Sequence, residues 1–262
     1  MIWGRGDFVD INDLIRQEIE YFYSRVKNGY DESRAIDVAF CDSIYETALK
    51  YDMCDTQRRA IISSGEAVND TNGTVLFAST KIGTTLVAMS KKVLPNKDSD
   101  EVRGTIIHEM THAHDFYDFA EYVGCQNHDE IFSSKYYETF FFWTEFHARA
   151  QGYKRFLEYK FRKSWKQFKK NKSLLLENIR ANFNIHSNRG RLYDFMQAAG
   201  RYATYVELES GHEDHFKEDV LVGNVEEDRI DWLMEIYKFL INNKEFDSFA
   251  RNIDVLYQLL NR

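Results

Sequence analysis

The chain reads as an α+β fold, mostly helical, with a small antiparallel sheet near its middle. Three observations predict it. A single proline stands among 262 residues, and proline is the strongest breaker of a helix interior. Apolar residues recur at helical spacing toward both ends of the chain. Between them lie short β-rich runs punctuated by turn residues.

The first 55 residues are expected to form two amphipathic helices. Ile11, Leu14, Ile15, Ile19, Phe22 and Val26 carry the first stripe; Val38, Cys41, Tyr45, Ala48 and Leu49 carry the second. The pattern then changes. Ala60-Ile61-Ile62, Thr74–Ala78 and Thr84–Met89 read as strands, with Asn69–Gly73 and Lys81-Ile82-Gly83 as hairpin turns. Pro95–Asp98 ends this region, and Asp98 with Glu101 three residues on comes close to a capping box for the next helix. Everything beyond is expected to be helical. Ile230, Leu233, Ile236, Tyr237 and Leu240 form one core stripe, and Phe246, Phe249, Ile253, Leu256 and Leu260 another. No repeat or linker divides the chain, so a single domain over 1–262 is expected: helices in 1–55, sheet and site in 56–153, and a helical extension in 154–262.

Composition narrows the class. Hydrophobic residues at 44% and aromatics at 15% suffice for a core and argue against intrinsic disorder. The first residues show no apolar signal stretch, and no run of 18 apolar residues suggests a membrane span. Cys41, Cys54 and Cys125 fit neither a disulfide framework nor a CxxC clamp. Reduced thiols and a cytoplasmic location are the expectation. The net charge is −8, yet residues 154–172 hold nine Lys/Arg and one Glu. With Leu157, Phe161, Trp165 and Phe168 as an apolar stripe, this segment reads as one basic helix. A core-packed helix with a solvated cationic side is the leading interpretation, and an anionic partner such as nucleic acid the other.

The chemistry concentrates in His108-Glu109-Met110-Thr111-His112. Two histidines four apart on a helix lie about 40° apart around its axis, one turn along it, so both imidazoles reach one ion. Glu109 stands beside the first ligand, placed to take a proton from a metal-activated water. A catalytic zinc takes three protein ligands and keeps a position for water. Four residues compete for the third place. Asp118, ten after His108, would need the helix to break where Asp115 stands. His128 lies in Asn127-His128-Asp129-Glu130-Ile131-Phe132. Glu138 and Glu145 share a face of the following helix, seven residues apart.

The order of β runs and HExxH helix resembles the zincin metallopeptidases. Glu145-Phe146-His147-Ala148 is an ExxA pattern and resembles the second-helix signature of gluzincins, including the ImmA/IrrE group of intracellular metallopeptidases. Ala148, Ala150 and Gly152 offer room for that helix to approach the HExxH helix. The sequence differs from ImmA/IrrE in having Met110-Thr111 where Leu-Gly is usual. A weaker resemblance links HEMTHA and the His128 segment to SprT-like proteases, whose HGxxF glycine is missing here. The gluzincin resemblance implies zinc held by His108, His112 and Glu145, with Glu109 as general base and peptide-bond hydrolysis as the activity. The substrate backbone would add to an exposed strand within 74–89.

Other groups are secondary. Asp115 could orient His112 or be an exposed helix acid. His147 reads as a packing histidine, Tyr153 as one of many tyrosines that could steady an oxyanion, and His212-Glu213-Asp214-His215 as a polar loop. The overall expectation is a zinc metallopeptidase. Its rival is a zincin-like binding module, or an SprT-like protease, held to nucleic acid through 154–172.

Overall fold

The computed structural model describes residues 11–27, 34–80, 83–94, 97–162, 165–181, 188–209 and 214–262. The expected turns at Lys81-Ile82 and Pro95-Asn96, Lys163, the Trp165 side chain and His212-Glu213 lie outside them. The chain divides into two compact units, Met1–Ser134 and Lys135–Arg262.

The first unit is layered about a three-stranded sheet. Helix α1 (Ile11–Tyr21) runs into a π-helical turn, Phe22–Val26. There follow β1 (Ile36–Cys41), α2 (Ile44–Lys50), α3 (Asp55–Ser64), β2 (Gly73–Leu76), β3 (Thr85–Ser90), α4 (Ser99–Tyr122) and α5 (His128–Phe132). The strand order is β1-β3-β2. β1 runs parallel to β3 and β2 antiparallel to it, so the sheet is mixed rather than antiparallel.

Two expected elements change identity. The second N-terminal helix is strand β1 followed by α2, and Ala60-Ile61-Ile62 lies inside α3. The reason is burial on both faces of the sheet. Ile36, Val38 and Phe40 pack toward Val102, Ile106 and Met110 of α4, while Ala39 and Cys41 pack with Ile44, Ala48 and Ile61 of α2 and α3. A strand covered twice loses its polar alternation and can pass for a helix stripe. Ser43 starts α2 by accepting the Glu46 amide at 3.1 Å. The Asn69–Gly73 segment is no hairpin turn. A 3₁₀ turn, Gly65–Asp70, leads into β2, and Asn69 Oδ1 accepts from the Tyr45 amide at 3.0 Å.

Helix α4 lies against the sheet. Val102, Ile106, Ile107, Met110, Ala113 and Tyr117 bury against Val75, Val87 and Met89. Asp98 occupies the N-cap position, but its side chain makes no capping hydrogen bond. Buried Arg103 instead ties α4 to α1 through Glu18 and, at 2.9 Å, Gln17.

The second unit is helical: α6 (Tyr137–Lys160), α7 (Trp165–Lys170), α8 (Lys172–Ala181), α9 (Asn188–Leu208), α10 (Glu227–Asn242), α11 (Phe246–Arg251) and α12 (Ile253–Leu260). The expected basic helix over 154–172 is broken. α6 stops at Lys160, and the turn lets buried Phe161 and Phe168 meet edge to face at 5.5 Å. Both C-terminal stripes are core, with Ile230, Leu233, Ile236, Tyr237, Leu240, Phe249, Ile253 and Leu256 buried. Trp143 anchors α6 among them, stacked on Phe249 at 4.4 Å and donating to the Asn243 carbonyl at 2.8 Å. Among the described residues no helix is long and apolar enough to cross a membrane.

Candidate metal centre

α4 places its two histidines as the spacing predicts. Their Nε2 atoms lie 3.1 Å apart with rings nearly perpendicular. Tetrahedral zinc with Zn–N bonds of about 2.0–2.1 Å holds two nitrogens about 3.3–3.4 Å apart. The observed separation is within a few tenths of an ångström of that. His108, His112 and Glu145 form a group that could hold a metal ion. Two imidazoles and one carboxylate are a donor set suited to catalytic zinc.

Glu109 is half-buried, and its side chain runs against the start of β2. A Cβ built on Gly73 would stand 3.4 Å from Glu109 Cγ and 3.2 Å from the Ala88 carbonyl. Gly73 thus lets the Glu109 side chain lie close to the strand. Gly73, expected as the end of a turn, stands instead at the start of β2, and a glycine inside a strand pattern is itself a signal of close approach.

On α6, Glu145 is buried and Glu138 exposed. Gln197 of α9 donates to Glu145 Oε2 at 3.2 Å, a partner that no motif in the sequence announced. Close packing of the two helices permits it. A Cβ on Gly200 would come within 2.5 Å of the Phe146 carbonyl and 3.0 Å of the Ala150 amide, so the small Ala150 packs on α9.

The remaining candidates have other occupations. Asp118 pairs with Lys27 at 3.1 Å and with Arg34. His128 is wholly buried; its Nδ1 lies 2.8 Å from the Ala78 carbonyl, and its ring meets Phe116 and Tyr117 edge-on. A carbonyl only accepts, so Nδ1 carries the proton. Asp115 is fully buried and is no exposed acid. His114 packs against Phe22 and Tyr23 at 5.1 and 5.6 Å, and burial, with Lys27 and Arg34 nearby, pushes it down to about 4. His147 is a packing histidine, tilted on Trp143 at 5.0 Å and 3.3 Å from Gln151 Nε2. Tyr153 stacks on Phe156 at 5.6 Å, and burial raises its phenol.

Strand addition meets an obstacle on β2. Its outer edge is taken from Val75 to Phe77: the Gln57 amide donates to the Val75 carbonyl and accepts from the Phe77 amide at 2.9 Å. The Cys54 amide donates to the Phe77 carbonyl at 3.0 Å. A substrate strand would have to displace Gln57 to pair there.

Five of the nine cations of 154–172 are engaged within their own unit. Lys154 bonds Glu207 at 2.7 Å and Lys172 pairs with Glu209. Lys160 lies over Phe156 at 4.7 Å, and Arg155 and Arg162 over Tyr159 at 5.6 and 4.0 Å.

Residues 45–150 match the SprT-like family model. The matched segment is about two fifths of the chain and contains His108, Glu109, His112 and Glu145. The family is metallopeptidase-like, in line with a metal-binding group at these residues. Nothing in the match speaks for the ImmA/IrrE group specifically. No curated protein and no solved structure matches the chain.

Proposed function

We propose that this protein is a zinc-dependent metallopeptidase with a gluzincin-type donor set. The observation that carries the reading is the register of α4, which aims His108 and His112 at one point, with Glu109 next to His108 in the chain. The SprT-like match over the same residues supports it. In this reading His108, His112 and Glu145 are the ligands, and the kinship to ImmA/IrrE rests on the ExxA pattern alone. Zinc in this site would polarise the scissile carbonyl and make a water acidic. Glu109 accepts the proton of the attacking water as its oxygen bonds to the carbonyl carbon. It then delivers that proton to the amine as the C–N bond breaks. Gly73 keeps the path of the Glu109 arm clear along β2. The substrate is a peptide or protein. The buried thiols of Cys41, Cys54 and Cys125 support the cytoplasm as the place of action.

Elemental analysis of protein never exposed to chelator tests the reading. About one zinc per chain is expected, with cleavage of a mixed peptide library by the same sample. Sub-stoichiometric metal that His108→Ala leaves unchanged would sink it.

A further inference from the structure

α6 and α9 lie side by side, and their contacts keep a nearly constant offset in sequence. Phe141 stacks on Tyr193, Glu145 meets Gln197, and Thr204 donates to the Ala150 carbonyl at 2.9 Å. The two helices therefore run parallel. One turn beyond Glu145 and Gln197 come Arg149 and Arg201, both partly buried. Among the described residues neither guanidinium has a hydrogen bond or ion pair, and the Arg149 Nε is buried with no partner. They sense each other. Burial pushes Arg201 down to about 10, the Arg149 charge pushes the same way, and Tyr153 and Tyr193 oppose. Two half-buried like charges repel where solvent screens them poorly, and removal from water without a counter-charge is unfavourable for each.

Helical side chains lean toward the N-terminus of their helix. With α6 and α9 parallel, Arg149 and Arg201 each stand one helical turn from the layer of Glu145 and Gln197. We propose that Arg149 and Arg201 form a carboxylate-binding subsite beside Glu145, taking the C-terminal or a side-chain carboxylate of the peptide substrate. The inference rests on the reading of Glu145 as a metal ligand of a peptidase. Planar guanidinium forks match a carboxylate in a bidentate way. A bound carboxylate also supplies the negative charge that the pair lacks, and anchors one end of the peptide near the reacting bond. The subsite selects peptides that carry such a group at a fixed distance from the cleavage point.

Calorimetric titration of the full chain tests this with three small probes. N-acetylglycine presents a terminal carboxylate, the α-amide of N-acetylaspartate a side-chain carboxylate, and N-acetylglycinamide neither. At least one carboxylate should bind about tenfold or more tightly than the neutral amide, the scale of a charge-assisted hydrogen bond; the better of the two names the source. Arg149→Gln and Arg201→Gln should each abolish that preference, and neither should lower Tm, because each removes a repulsion. Arg149→Lys, which keeps charge without the fork, should retain part of it. The preference should persist after chelator treatment and in Glu145→Ala. A protein without metal or turnover would then defeat the peptidase reading and leave this result standing. Equal binding of acids and amide, an unchanged preference in both Gln variants, or tighter binding of inorganic phosphate than of either acid would overturn the subsite.

Discussion

The Gln197 side-chain amide holds Glu145 by a 3.2 Å hydrogen bond from Nε2 to Oε2, joining α9 to α6. One carboxylate oxygen is thereby occupied and the side chain is fixed in one orientation. Outer partners of this kind set the aim of a metal ligand, and their loss weakens metal binding about 10–100-fold. Gln197→Leu should weaken zinc binding by that order in competition with a chelator, while Glu145→Ala weakens it further. An affinity unchanged in Gln197→Leu would reduce the contact to packing.

In the proposed mechanism Glu109→Gln removes the base and leaves the ligands. Turnover should fall by about 10²–10⁴-fold, the usual contribution of general acid–base catalysis, with zinc content unchanged. Near-native cleavage by the variant would mean that another group takes the proton.

His128 should behave as a core residue. Its Nδ1 proton meets the Ala78 carbonyl, and its ring is closed in by Phe77, Phe116 and Tyr117. His128→Ala leaves that buried carbonyl without its donor, a loss of about 1–3 kcal/mol in denaturant unfolding. Zinc affinity should hardly move. If His128→Ala lost the metal while Glu145→Ala kept it, the ligand set would have to be redrawn around His128.

Gly73→Val tests the approach of the base to the strand. A Cβ there meets Met89 Sδ at 2.9 Å and the Ala88 carbonyl at 3.2 Å, with Glu109 Cγ next at 3.4 Å. The sulfur can yield, but the backbone oxygen and the added methyls crowd the Glu109 arm. kcat should drop well below wild type with zinc content retained. Full activity would show that Glu109 does not depend on this clearance.

Legibility followed distance along the chain. His108, Glu109 and His112 sit on one helix, so helical geometry alone relates them and the sequence sufficed. The α10 stripe was readable for the same reason, since its period repeats for more than three turns. Glu145 was reachable only through the ExxA resemblance. Gln197 and Gln57 carried no local signal: each acts on a residue that folding, not adjacency, brings near.

By itself, then, the sequence determined the local arrangement: the α4 register of His108, Glu109 and His112, and the apolar stripes that bury their helices. Tertiary structure decided the rest. It made Val38 and Cys41 a strand, because both faces of β1 are covered. Its parallel pairing to β3 arises from a crossover through α2 and α3 that no short window of sequence records. It closed the outer edge of β2 with Gln57, and it aligned α6 with α9 so that Gln197 meets Glu145. Periodicity reports which side of an element is buried; only packing decides what buries it.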